Sequence, residues 1–247
     1  MTISRQAFNK VYDARIVGRT FVEDLDYYRQ SQERFWQAFR RIEALKLPEG
    51  ARALDIGGGI MGVLMAELLG LAVTVADVND RSRDDIEGLG LTFVTIDLFR
   101  DGAPPVTGMD LVVLQEVIEH IPQPPYIVFR RIARLLAPGG RFFLTTPNGH
   151  RFRNVLYMIA GKEILGLYRY PEEGQALGHQ HEYTMKQLLW QTGHSKVFEV
   201  EEAEYFQDGW AGSTPAARLF WQLTKPAGLV PRLRNSIGMT LVRQPQS

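Results

Sequence analysis

The stretch Ala53-Leu54-Asp55-Ile56-Gly57-Gly58-Gly59-Ile60-Met61-Gly62 decides how the rest of the chain is read. It starts apolar, turns acidic at Asp55, loses its side chains over consecutive glycines, and enters a helical pattern at Leu64, Met65, Leu68 and Leu69. A buried strand ending in a tight turn that opens a helix has this profile. Glycines at such a turn let backbone N–H groups approach a ligand closely, with the helix N-terminus behind them. The spacing Gly57, Gly59, Gly62 satisfies G-x-G-x-x-G, the dinucleotide fingerprint, and Asp77 lies about 20 residues further on, as that fingerprint requires. Asp55 fits less well, because an acid just before the glycines adds negative charge beside a pyrophosphate. It suits a ligand that is cationic or carries an ammonium group.

Outward from this turn, strand and helix patterns alternate. Ala72 to Asp77 reads as a second buried strand, Leu91 to Ile96 as a third followed by Asp97, Asp110 to Leu114 as a fourth and Arg141 to Thr146 as a fifth. Ile127 to Leu136 reads as a helix closed by Pro138-Gly139-Gly140. Short apolar strands alternating with helices imply a parallel sheet covered on both faces, with its ligand beyond the carboxyl ends of the strands. Asp55, Asp77, Asp97 and Gln115 all fall at those ends. The closing pattern is a strand over Lys196 to Phe206, a helix over Pro215 to Leu223 and a strand over Ser236 to Val242, consistent with an antiparallel pair at the sheet edge. The fold class expected is α/β, a doubly wound, seven-stranded, mostly parallel sheet.

Residues 1–50 read as an N-terminal helical cap, with Tyr28, Phe35, Phe39, Ile42 and Leu45 at helical spacing and Pro48-Glu49-Gly50 ending the pattern. Two roles are open for it: packing on the main domain, or a lid carrying Tyr12, Tyr27 or Tyr28 over a ligand. Residues 51–247 read as the main domain, and 148–183 as an insertion after the fifth strand that binds substrate.

The chain has 28 basic and 28 acidic residues without a block of either sign, so nothing advertises a nucleic-acid or membrane partner. It has no cysteine, which excludes disulfides, thiolate metal sites and cysteine nucleophiles. The polar start MTISRQAFNKVYDAR lacks the apolar centre of a signal peptide, and no apolar run is long enough to span a bilayer. A cytoplasmic location is the default expectation.

The ordered strings LDIGGGIMG, VADVN, IDLF, VVLQEVIEHIP and LLAPGGRFFLTTPN resemble those of class I S-adenosylmethionine-dependent methyltransferases, particularly small-molecule O-methyltransferases, over Ala51 to Asn148. The resemblance implies that Asp55 and the backbone of Gly57, Gly58 and Gly59 surround the methionine part of S-adenosyl-L-methionine, and that Asp77 accepts from both ribose hydroxyls. It further implies that Val78 packs on adenine, Asp97 with Leu98 meets the adenine amine and edge, and Gln115 offers its backbone carbonyl to the cofactor's amino group. The family's usual third glycine falls where this chain has Met61, so the turn differs there. The alternatives are transfer to nitrogen or carbon of a small molecule, a non-catalytic cofactor-binding subunit and a nicotinamide oxidoreductase.

A hydroxyl or amine acceptor must lose a proton, which calls for a base, and histidine suits neutral pH. The catalytic candidates are His120, His179 and His181. If Glu116 to His120 begins a helix, Glu116, Glu119 and His120 share a face, and their O and N ligands suit a divalent cation. This E-x-x-E-H arrangement is similar to one in quinone-pathway O-methyltransferases, where a metal assists hydroxyl deprotonation. A base or structural role for His120 without metal is the favoured expectation. His150 is left open, and His194 reads as part of a helix-ending turn. Arg151, Arg153 and Arg169 with Tyr157, Tyr168 and Tyr170 suit an anionic or ring-containing acceptor, or else a solvated loop. The expected partner is a small-molecule substrate, with no nucleic acid and no membrane insertion.

Overall fold

A computed structural model describes residues 2–17, 25–165, 178–209 and 215–245. Tyr168, Arg169 and Tyr170 lie outside the described residues.

In chain order the elements are α1 (Arg5–Arg15), α2 (Leu25–Ala44), β1 (Arg52–Ile56), α3 (Ile60–Leu69), β2 (Ala72–Asp77), α4 (Arg83–Glu87), β3 (Thr92–Thr95) and β4 (Met109–Gln115). Then follow α5 (Pro125–Leu135), β5 (Leu136–Pro147), α6 (Phe152–Ile159), α7 (Met185–Ser195), β6 (Phe198–Phe206), α8 (Pro215–Thr224) and β7 (Ser236–Arg243). The seven strands form one sheet in the order β3-β2-β1-β4-β5-β7-β6. Pairing is parallel from β3 through β5, and β7 runs antiparallel to both β5 and β6. The strand order reverses between β1 and β4, where β1 lies beside both β2 and β4, which makes their carboxyl ends the expected ligand crevice.

Successive strand residues enter opposite layers, as a two-sided sheet requires. Leu54, Leu114 and Phe142 join a core with Phe129 of α5 and Leu188 of α7. Ala53, Val113 and Phe143 join a second core with Leu64 of α3 and with Phe8, Tyr12, Phe35 and Phe39 of the N-terminal helices. The helices of residues 1–50 therefore pack on the sheet through α3. Tyr12 is fully buried and donates its hydroxyl to the Tyr28 carbonyl at 2.7 Å, so it serves packing and is no part of a lid.

Two local readings change. Pro138-Gly139-Gly140 lies inside β5, whose first residue, Leu136, pairs with Met109 before the register slips between Met109 and Leu111. Residues 116–120 form no α-helix. Glu116 has φ +55 and only Ile118–His120 make a 3-10 turn, so the shared helical face of Glu116, Glu119 and His120 does not exist.

Candidate active site

The glycine turn is built from both ends. Gly57, Gly58 and Gly59 all have positive φ, a region open to glycine without strain. A Cβ on Gly57 would sit 2.4 Å from Val117 Cγ2, and one on Gly59 2.6 Å from Ile86 Cδ1, so these two let neighbours close in. A Cβ on Gly58 would meet nothing within 4 Å. The Gly58 N–H donates to Asp77 Oδ2 at 3.2 Å, tying the turn to the end of β2. The displaced third glycine also has a physical reason. Gly62 lies 3.0 Å (by its would-be Cβ) from Val75 Cγ2 and 3.2 Å from Asp55 Cβ, so it lets α3 rest on β1 and β2, while Met61 is buried in the core.

Asp55 is 1% exposed, and its Oδ2 accepts the Gly62 N–H at 2.7 Å, capping the first turn of α3 from the preceding strand. Burial pushes its carboxyl up to about 7; the Gly62 hydrogen bond works against that rise and nearby Asp77 adds to it.

Beyond the carboxyl ends of β1, β2 and β4 lies a cavity of about 500 Å³. Its wall runs from Asp77, Val78 and Asn79 through Ile96, Leu98 and Phe99, across Asp55, Gly57 and Gly58, to Gln115, Glu116 and His120. The last wall comes from α2, through Tyr27, Tyr28, Arg34 and Phe35. Most of the proposed cofactor residues, namely Asp55, Gly57, Gly58, Asp77, Val78, Leu98 and Gln115, thus share one cavity. Gly59 sits behind it, against Ile86. Asp97 lines a separate hollow of about 210 Å³, where its Oδ1 accepts the Phe99 N–H at 2.7 Å and its Oδ2 lies 3.3 Å from Arg100 Nε.

The far end of the cavity is a buried charge cluster. Glu116 Oε2 lies 3.4 Å from Arg34 Nη1, and Glu116 Oε1 accepts from Thr145 Oγ1 at 2.8 Å. Arg34 also donates to the Tyr27 hydroxyl at 2.7 Å. Glu119 Oε2 accepts from Thr146 Oγ1 at 2.9 Å, whereas its buried Oε1 has no partner among the described residues. Burial raises the Glu116 carboxyl, opposed chiefly by Arg34; burial and then the charge of Glu116 raise Glu119 well above the usual range. One guanidinium thus lowers two buried carboxyl groups against the rise that burial imposes on both.

The histidines divide. His120 and His179 pack edge to face with ring centroids 4.7 Å apart, held together because the Glu119 carbonyl accepts the N–H groups of Gln180 and His181. Glu119, His120 and His179 each offer a ligand atom within 4.8 Å of the others, a donor set that suits a divalent cation by its O and N chemistry. Glu116 is absent from that set. His181 is exposed and packs on Tyr183. His150 is exposed, and His194 stacks on Trp190 near Tyr126 at the outer end of α7. Arg151 and Arg153 converge on Glu182, which also takes Asn154 Nδ2 at 2.7 Å. The two arginines brace the chain after β5 rather than standing open in the cavity.

Sequence reasoning missed Arg34. Its only signal was a basic residue beside Phe35 on the inward face of a helix, and its partner is 82 residues away.

Residues 27–200 match a family model described as a methyltransferase domain. The chain belongs to that family. A ubiquinone biosynthesis O-methyltransferase of Xanthomonas oryzae pv. oryzae is 38% identical over 107 residues, which are 40% of this chain and 44% of that protein. One from Caulobacter vibrioides is 36% identical over 122 residues, 44% of this chain and 46% of that one. The chain therefore matches less than half the length of these relatives. Among solved structures, the Synechocystis magnesium protoporphyrin IX methyltransferase with bound S-adenosylhomocysteine superposes with a TM-score of 0.57 at 18% identity, covering 97% of this methyltransferase-family chain and 95% of that one. The protein solved with a Haloferax volcanii methyltransferase activator superposes at 0.64 with 16% identity, covering 98% of each chain. At these identities the superpositions speak for the fold.

Proposed function

We propose that the protein transfers a methyl group from S-adenosyl-L-methionine to a small-molecule acceptor, at a hydroxyl oxygen. The observation that carries this reading is the single cavity running from the Asp77 carboxylate over the Gly57–Gly58 turn to His120. Its two ends differ in chemistry. The Asp77 end offers a carboxylate beside the apolar surfaces of Val78, Ile96, Leu98 and Phe99, which suits a ribose and an adenine ring. Asp97, turned to Phe99 and Arg100, leaves the adenine wall to those apolar side chains. Asp55 and the Gln115 backbone face the amino-acid end.

S-adenosylmethionine, when bound, supplies an electrophilic methyl on a sulfonium. The chain's own work is to place an acceptor oxygen in line, exclude water and take a proton. Tyr27, Tyr28 and Phe35 of α2 cover the cavity, which gives the N-terminal helices the role of a cap over it. His120, with His179 against its ring, is the base that faces the acceptor side. His181, exposed and packed on the buried Tyr183, holds the loop. The segment after β5, residues 148–183, is the proposed acceptor-binding insertion, and it supplies His179 to this pair.

Calorimetric titration with S-adenosylhomocysteine and, separately, NAD tests the reading. Binding of the homocysteine product without NAD binding is expected. NAD binding with no response to S-adenosylhomocysteine overturns it.

A further inference from the structure

We infer that Arg34, carried in by the N-terminal helix α2, takes the place of a divalent cation against Glu116, so that the charge of this carboxylate is met by the protein itself. Glu116 is fixed on every side. Its backbone adopts φ +55, its N–H donates to the Thr145 carbonyl at 3.0 Å, one carboxylate oxygen takes the Thr145 hydroxyl and the other faces Arg34. The left-handed backbone of a glutamate is a costly conformation, held only where surrounding contacts enforce it. What it achieves here is to point the side chain toward α2 instead of along a helix face with Glu119 and His120.

While it is engaged by Arg34, Glu116 stands outside the donor set that Glu119 and both histidines form. The guanidinium supplies the positive charge that a buried carboxylate needs, and its planar fork reaches Tyr27 as well, so one side chain joins the cavity's cover to its floor. Both partners are largely shielded, with 12% and 11% of their side chains exposed, so the pair is little screened by salt. Burial works against the charge on Arg34, and the Tyr27 oxygen with the carboxylates of Glu116, Asp208 and Glu119 outweighs it, leaving the guanidinium firmly protonated. The inference rests on this ion pair and is independent of the cofactor.

The test is calorimetric titration of the whole chain with Mn²⁺. In the wild-type background, Glu116→Gln is expected to leave Mn²⁺ affinity unchanged. Arg34→Met uncovers Glu116 beside Glu119 and is expected to raise Mn²⁺ affinity by at least about tenfold. That gain should vanish in Arg34→Met/Glu116→Gln and be missing from Arg34→Lys, which keeps a cation. A wild-type Mn²⁺ site lost on Glu116→Gln overturns the inference, as does a folded Arg34→Met chain that gains no affinity. The first comparison needs no Arg34 variant: a wild-type Mn²⁺ site that persists in Glu116→Gln supports the inference, and one that is lost overturns it.

Discussion

The Asp55 carboxylate caps α3 by accepting the Gly62 N–H at 2.7 Å, and it does so while 1% exposed. An acid before a glycine turn thus has a structural task, the first turn of a helix, besides any contact with a ligand. Because burial holds its carboxyl up to about 7, the folded chain binds a proton that the unfolded chain gives up near pH 4. The folded state therefore loses stability as pH rises from about 4 to about 7, and the loss is complete above that window. Asp55→Asn keeps an acceptor for Gly62 and removes the titration. We expect the two proteins to melt alike near pH 4.5, and the variant to melt several degrees higher at pH 8, for a difference of roughly 2–4 kcal/mol. Equal melting temperatures at pH 8 would show that Asp55 ionises normally in the folded chain.

Asp77 holds the turn through Gly58 and lines the cavity with the same carboxylate. If its oxygens also take ribose hydroxyls, Asp77→Ala lowers the affinity for S-adenosylhomocysteine about 10- to 100-fold, the range for lost hydrogen bonds to a charged group. Titration calorimetry reads this directly. An unchanged affinity would leave Asp77 as a brace for the turn and nothing more.

Gly58 and Gly59 separate ligand space from packing space. Both have positive φ, so alanine strains the backbone at either, by about 1–3 kcal/mol. Only at Gly59 does the new methyl also collide with Ile86 and Val75, adding about 1–3 kcal/mol of overpacking. Denaturant melts should rank Gly59→Ala below Gly58→Ala. Binding of S-adenosylhomocysteine should suffer more from Gly58→Ala than its stability loss explains. The reverse order in the melts would refute the assignment of Gly59 to packing.

The first strands were legible because the runs of β1, β2 and β3 are short, apolar and closed by glycine or an acid, and neighbouring residues enter opposite cores. The strand-end acids followed from the same pattern. Glu116 was not legible, because a left-handed non-glycine residue is imposed by Thr145 and Arg34, which are remote in sequence. The helix assumed over 116–120 came from i, i+3, i+4 spacing, and spacing cannot reveal a positive φ. The α2 wall of the cavity was legible in part: a lid carrying Tyr27 or Tyr28 was one of two open roles, and helical spacing could not choose between it and packing. An inward helix face shows that something is covered, but not which strand ends lie beneath. Arg151 and Arg153 read from composition alone as either a ligand surface or a solvated loop, and Glu182 claims both in the fold.

Glu182 links the segment after β5 to the loop before α7, with its side chain 4% exposed. Burial raises its carboxyl, but His179, Arg151, Asn154 and Arg153 together outweigh burial and hold it below the usual range. A lowered carboxyl stabilises the fold above its unfolded pKa, and that contribution is lost as pH falls through the lower folded value. Glu182→Gln should therefore cost about 3 kcal/mol at pH 7 in denaturant unfolding, with the gap to wild type closing below about pH 4. A gap that stays constant down to pH 3 would mean that the shape of Glu182, and not its charge, holds the segment.

The geometry ranks the three candidate bases. His120 lines the cavity, His179 packs against it, and His181 is exposed outside it, packed on the buried Tyr183. General-base catalysis contributes about 10²- to 10⁴-fold, so His120→Ala should lower kcat within that range while leaving S-adenosylhomocysteine affinity near wild type. His179→Ala removes the ring that fixes His120, so its kcat loss should be smaller, and combining it with His120→Ala should add little. His181→Ala should stay within about tenfold of wild type. Initial rates with S-adenosylmethionine and a panel of phenolic and sugar hydroxyls provide the measurement. A His181→Ala variant slower than His120→Ala would move the base to the loop, and the cavity reading of the acceptor end would then be wrong.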